Sequence, residues 1–275
     1  MKRILVPTDF SKEAEYATKI AAQFAKQFNS EIYFLHMLEL PIPEIDRFNS
    51  SYSEIPEALF FIKLAKKRFS ELLAKDFLSD LTVHHSIKTN TTFEGIKETA
   101  KELDIDLIVM GSHGATGFKE MFIGSNTEKV VRTSHIPVLV IKSKTEHFKA
   151  DDVVFASDFK LDNKHTYLQA VKFAEKFNSK IHLLLVNTPN NFITTTEATK
   201  RIKHFVSQTD YSNYTINIYN DDTVEKGILD FAEHIKADVI GISTHGRQGI
   251  AHFFNGSISE DIVNHAIRPV ITFKI

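Results

Sequence analysis

Ile105-Asp106-Leu107-Ile108-Val109-Met110-Gly111-Ser112-His113-Gly114, with Gly124-Ser125-Asn126 after nine intervening residues, is the stretch on which the reading of this chain turns. A mostly apolar run ends in glycine, and a helix-like run, Thr127 to Ser134, begins just beyond Asn126. A glycine-bearing turn at the carboxyl end of a strand is where an open α/β sheet binds its ligands. Gly111, Gly114 and Gly124 remove side chains where backbone would have to approach an anion. Ser125 adds a hydroxyl and an N–H at the mouth of the next helix, a favourable place for phosphate. The stretch predicts a phosphate cradle.

Outward from it, the pattern alternates. Arg3 to Pro7 reads as a buried strand, and Ala14, Ala17, Ile20, Ala21, Phe24 and Phe28 mark one face of a helix. Glu31 to Leu38 is a second strand, Pro41 to Pro56 a loop, and Glu57 to Phe77 a charged amphipathic helix. Leu81 to Lys88, Leu107 to Met110 and Pro137 to Ile141 supply three more strands, with a helix over Phe93 to Leu103. Alternation of this kind implies a doubly wound, Rossmann-like α/β domain with a five-stranded parallel sheet of order 3-2-1-4-5. In that order the first and fourth strands adjoin at the switch point, so Asp9 and the glycine stretch face one crevice.

The pattern then repeats. Phe173-Ala174-Glu175-Lys176-Phe177-Asn178-Ser179 echoes Phe24-Ala25-Lys26-Gln27-Phe28-Asn29-Ser30, and Asp158 follows Asp9 by 158 − 9 = 149 residues. Gly246 follows Gly114, and Gly256-Ser257 follows Gly124-Ser125, by 132. The second copy has therefore lost 149 − 132 = 17 residues between Pro189 and about Gly227. Lys142 to Asp151 is polar and aperiodic and reads as a linker. The expected domains are 1–142, with the motif intact, and 152–275, shortened and altered.

Composition narrows the function. The chain has 275 residues, of which 43% are hydrophobic and 25% charged, the profile of a soluble globular protein. Its formal net charge of −2 argues against holding nucleic acid by bulk electrostatics. With no cysteine, disulfides, thiolate catalysis and cysteine-ligated metals are excluded. Neither a signal peptide nor a membrane-length apolar run is visible, so the expected location is the cytoplasm. The motif is not a dinucleotide fingerprint, because no G-x-G-x-x-G follows the first strand. Nor is it a P-loop, because Gly124-Ser125 lacks the lysine that reaches terminal phosphates. Fast phosphoryl transfer is not expected.

Ile4-Leu5-Val6-Pro7-Thr8-Asp9-Phe10-Ser11, Ile108 to Gly114, Gly124-Ser125 and Pro137-Val138-Leu139-Val140 resemble the universal stress protein family in its tandem form. The resemblance implies an adenine nucleotide (ATP, ADP or AMP, with or without Mg2+) as ligand. It implies that Pro7, Thr8 and Asp9 frame adenine and ribose, with backbone around Met37 lining the base pocket. Met110, Gly111, His113 and Gly114 would follow ribose and phosphates, and Gly124, Ser125 and Asn126 would donate to phosphate. In the second copy the matching positions are Ala156, Ser157, Asp158, Ser243, Gly246, Gly256 and Ser257, a doubtful site because proline, threonine and glycine have changed. The resemblance also implies that the two domains pack as an internal pseudo-dimer. The implied role is a stress-response sensor or regulator with an unnamed protein partner, acting alone or as a homodimer. A scaffold that binds no nucleotide and a slow ATPase remain as alternatives.

Other constellations carry less. His84-His85, His113, His245, His252 and His265 form neither a one-helix H-x3-H pair nor H-E-x-x-H, so no metal site is expected. His113 and His245 recur at the motif turn, where a ligand contact and plain turn packing are both open. His36 reads as a satisfied near-core residue. Asp151-Asp152 and Asp221-Asp222 point to opposite sides of an extended chain and suit linkers and turns. No G-x-S-x-G marks a hydrolase serine, and no catalytic residue is assigned. The Lys- and Phe-rich helix after Pro56 is expected to cover the sheet, although a membrane-surface or partner helix has the same composition.

Overall fold

The computed structural model describes residues 1–38, 54–89, 91–112, 124–160, 164–207, 209–244 and 262–274. The first half runs β1 (Arg3–Pro7), α1 (Lys12–Phe28), β2 (Glu31–Met37), α2 (Glu54–Leu73), β3 (Val83–Lys88), α3 (Thr92–Glu102), β4 (Leu107–Gly111), α4 (Ser125–Thr133) and β5 (Val138–Ile141). The second runs β6 (Asp152–Ala156), α5 (Lys164–Phe177), β7 (Lys180–Asn187), α6 (Thr195–Val206), β8 (Tyr214–Asn220), α7 (Val224–His234), β9 (Val239–Thr244) and β10 (Val270–Lys274). The strands lie in one sheet of order β3-β2-β1-β4-β5-β10-β9-β6-β7-β8. Each half has the predicted 3-2-1-4-5 order, with all its own strands parallel. The halves meet where β5 and β10 pair antiparallel, Leu139 opposite Ile271.

Local signals explain the helices. Ser11 Oγ accepts the Ala14 N–H at 3.2 Å and caps α1. The repeated Phe-Asn-Ser stops it: Asn29 (φ 51°) and Asn178 (φ 53°) are left-handed, a conformation asparagine tolerates better than most residues. The next N–H then reaches back across the turn, Ser30 to Ala25 O at 3.1 Å and Ser179 to Ala174 O at 2.9 Å. Ala17, Ile20, Ala21 and Phe24 turn inward, as their spacing predicts.

Two hydrophobic layers cover the two faces of the sheet, and both run through the junction. One contains Phe24, Leu139, Phe155 and Phe273; the other contains Leu5, Val138, Val140 and Val270. Near the junction, Phe24 and Phe28 of α1 pack on Phe177 of α5, with ring centroids 5.2 and 5.1 Å apart. Phe148, in the segment read as a polar linker, fills this cluster at 4.8 Å from Phe24. Gln23 pins that segment twice, donating to Glu146 O at 2.8 Å and accepting the Phe148 N–H at 2.9 Å. Aromatic pairs of this kind each contribute about 0.5–1.5 kcal/mol beyond their buried area. The connection is thus part of the core.

The register refines the deletion. Ile32 pairs with Val83 and Ile181 with Tyr214, so the β2–β3 excursion spans 83 − 32 = 51 residues and the β7–β8 one 214 − 181 = 33. Eighteen residues are missing there, and one is regained before α7, since Val83 to Gly95 is 12 and Tyr214 to Gly227 is 13. Eight of the eighteen are helix, since α2 has 20 residues and α6 has 12. Ala65, Phe69 and Leu72 of α2 are buried, whereas Leu59 (51% exposed) and Phe60 (61%) face outward. The predicted sheet-covering role therefore describes the later turns of α2 and not Leu59 and Phe60.

Candidate functional site

Parallel strands all present their carboxyl ends on one side, and β1 and β4 diverge there because their crossovers leave to opposite faces. In the first half this opens a cleft of about 180 Å3 lined by Pro7, Thr8, Asp9, Met37, Met110, Gly111, Gly124, Ser125 and Asn126. Those are nine of the eleven positions predicted for the first copy. The other two, His113 and Gly114, lie outside the described residues. Ala14, Leu35, His36, Thr92, Ile96 and Thr127 also line the cleft.

The turn after β1 is built by its own side chains. Thr8 N–H donates to Leu35 O at 2.9 Å, prolonging the β1–β2 ladder by one bond. Thr8 Oγ1 then accepts the Phe10 N–H, and Asp9 Oδ1 accepts the Ser11 N–H, each at 3.0 Å. Together they hold Phe10 at φ 64°, an uncommon conformation for a bulky residue. His36 Nδ1 lies 2.7 Å from Thr8 O. A carbonyl can only accept, so Nδ1 carries the proton and donates. Burial pulls the His36 pKa below its usual value, partly offset by this bond, so the ring is neutral at pH 7.

The glycine stretch has a different logic from the one expected. A Cβ at Gly111 would lie 2.8 Å from the Glu13 carbonyl carbon and 2.9 Å from its oxygen. It is the backbone of α1, not an anion, that the missing side chain admits. Gly95 likewise makes room for the Met37 side chain, as Gly227 does for Val186. At the mouth of α4, Gly124 N–H donates to Ser112 O at 2.9 Å, and Thr127 Oγ1 donates to Gly111 O at 3.0 Å. Gly124 N–H is therefore engaged with the protein, not aimed at the cleft. As N-cap, Gly124 offers no side chain to the first turn of α4, whereas Ser11, Thr194 and Thr223 cap α1, α6 and α7. The N–H groups of Ser125, Asn126 and Thr127 thus stand at the cleft with the positive end of the helix behind them.

The second half repeats the turn and changes the contents. Ser157 N–H donates to Leu184 O at 3.2 Å, Ser157 Oγ accepts from Phe159 at 3.1 Å, and Asp158 Oδ1 accepts from Lys160 N–H at 3.2 Å. Phe159 takes φ 53°. Ala156, Ser157 and Asp158 line a cleft of about 360 Å3. The Lys160 ammonium sits 3.3 Å from the buried Asp158 Oδ2, where the first half has Ser11. Ser243, which replaces Gly111, is fully buried beside the apolar strand end and does not line this cleft. Gly246, Gly256 and Ser257 lie outside the described residues, as does His245.

Sequence reading passed over Thr127, and it took His36 as a satisfied near-core residue without placing it at the cleft. Both had a signal: His36 precedes Met37 at a strand end, and Thr127 falls one turn after Gly124. Among the described residues no group of three or more His, Asp or Glu side chains is placed to hold a metal ion. Nor is any helix among them long and apolar enough to cross a membrane.

Two doubly wound halves in one sheet, each with a crevice at its strand ends, define a tandem α/β protein of the Rossmann-like class. The family model described as the universal stress protein family matches residues 1–142 and again 150–274. The chain belongs to the universal stress protein family, in tandem form. A universal stress protein of Methanocaldococcus jannaschii is 36% identical over 157 residues, covering 52% of this chain and 96% of the relative. A second from the same organism is 32% identical over 147 residues, covering 51% and 82%. The crystal structure of a universal stress protein from Archaeoglobus fulgidus shares the fold, with TM-score 0.74, 22% identity and coverage of 99% of this chain and 96% of that one.

Proposed function

We propose that the first half, residues 1–142, binds an adenine nucleotide in the cleft between Asp9 and Ser125, and that occupancy makes the chain a sensor or regulator within the stress response. The observation that carries this reading is convergence. Segments from Pro7 to Asn126, far apart in sequence, meet at one strand-end crevice that ends on the uncapped N-terminus of α4. Such a terminus offers N–H donors and a favourable field to phosphate oxygens. The apolar side chains of Met37, Ile96 and Met110 suit a planar base, and the Asp9 carboxylate suits a sugar hydroxyl. Residues 152–275 act in this proposal as the partner half that completes the sheet.

Calorimetric titration of the whole chain with ATP, with and without Mg2+, tests the reading. One nucleotide per chain is expected; Asp9→Ala, which removes a charge-assisted contact, and Gly124→Val, which puts a branched side chain at the mouth of α4, should each weaken binding by about tenfold or more. Absence of saturable heat from the unaltered chain at millimolar ATP, with Mg2+ present, overturns it in favour of a scaffold. Steady hydrolysis that Asp9→Ala abolishes would instead make the chain a slow ATPase.

A further inference from the structure

The second cleft differs from the first in charge and in lining. Among the described residues lining the first, Asp9 is the carboxylate and none is a lysine or arginine. In the second, Asp158 is paired with Lys160, and Arg201 of α6 adds a further cation among the described lining residues. Arg201 is half-buried and has no hydrogen-bond or ion-pair partner among the described residues. A guanidinium held at a cleft in that way is a receptor for a planar anion, because its fork of N–H donors matches a carboxylate.

The floor opposite Arg201 is apolar. Leu185 stands where the first half has His36, Val186 where it has Met37, Val224 where it has Thr92, and Ile242 where it has Met110. The polar members of that set, His36 and Thr92, and the flexible methionines are replaced by branched aliphatic side chains. The turn after β7 supplies a wall. Asn187 Nδ2 donates to Ile193 O at 3.0 Å, and Asn187 Oδ1 accepts the Ile193 N–H at 3.3 Å, which fixes the turn from Thr188 to Ile193 against the cleft. Phe192 stands 67% exposed on the rim of this wall.

We propose that this cleft is a binding site for a small apolar monocarboxylate, its carboxylate on Arg201 and its aliphatic or aryl body on the Val186–Ile228–Ile242 floor. The site is distinct in ligand class from the nucleotide cleft of the first half. A cavity of about 360 Å3 is within the size range of small-molecule sites, and one polar anchor over an apolar floor is their usual construction. The second half is then a second input to the same sheet, not a lapsed copy of the first.

Titration of the full chain with octanoate, followed by calorimetry and by ligand-observed NMR, tests this. Saturable binding is expected, with octanol weaker by about tenfold because it cannot pair with a guanidinium. Arg201→Gln should weaken octanoate by a similar factor and leave octanol unchanged, with Arg201→Lys falling between. Ile228→Trp, which fills the floor, should remove both ligands while the urea midpoint confirms a folded chain. The proposal is overturned if the unaltered chain shows no saturable octanoate binding at millimolar concentration, or if Arg201→Gln binds octanoate as before. It is also overturned if ATP displaces octanoate in Gly124→Val, which would make the cleft a second nucleotide site. A failure of ATP to bind the first half leaves every one of these readouts intact.

Discussion

The two halves build the same turn after their first strand and do different things with it. Thr8-Asp9-Phe10-Ser11 and Ser157-Asp158-Phe159-Lys160 share each backbone-to-side-chain bond and the left-handed phenylalanine. Yet Asp158 is held by the ammonium of Lys160, which stands where the first half has Ser11, and the floor beneath it has turned aliphatic. A turn of this kind is specified by hydroxyl and carboxylate oxygens two residues from the N–H groups they accept. Those requirements leave the neighbouring positions free to change. Frame and contents are thus set by different atoms.

The largest effect is expected where the halves depend on each other. Leu139 and Ile271 face each other across β5 and β10 and are fully buried. Leu139→Ala should cost about 2–5 kcal/mol by cavity formation. Because both hydrophobic layers cross this line, urea denaturation should keep one transition; two separated transitions would show that the halves are independently stable.

Exchanging the Gly111–Ser243 difference tests the frame. Gly111→Ser drives a side chain into the Glu13 backbone and should cost about 1–3 kcal/mol. The reciprocal Ser243→Gly should stay within about 1 kcal/mol, the usual penalty of glycine in a strand. Equal urea midpoints for the two variants would mean that α1 can retreat from β4 as easily as its counterpart.

A smaller effect separates His36 from Leu185. The folded-state pKa of His36 lies below the ordinary 6.5, chiefly through burial. The unfolded chain therefore takes up the proton first as pH falls, and stability is lost from about pH 6.5 downward. His36→Leu, which installs the residue of the second half, should flatten that acid limb in denaturation curves measured between pH 7 and 5. An unchanged limb would assign it to other histidines.

Much of the fold was legible because parallel strands covered on both faces must be apolar, short and separated by helical periods. Ile4-Leu5-Val6 and Val138-Leu139-Val140 announce themselves that way, and the Phe-Asn-Ser helix stops show the repeat. The strand-end positions of the first cleft were legible for the same reason, since topology alone brings Asp9 beside Gly111. The role of Gly111 was not, because the Glu13 backbone that crowds it belongs to a helix about a hundred residues earlier. Nor was the place of Phe148: one aromatic in a polar segment has no period to betray that it completes a cluster with Phe24 and Phe177.

The chain's order of residues by itself determined two doubly wound halves, their strand order and the shortened excursion of the second. These follow from periodicity and repetition, which are properties of local sequence. Tertiary structure alone decided that β5 meets β10 with Leu139 on Ile271, that Gly111 serves α1, and that Lys160 and Arg201 line one cleft with an aliphatic floor. Those facts depend on which side chains distant segments bring within a few ångströms of one another. Contact of that kind has no period to read.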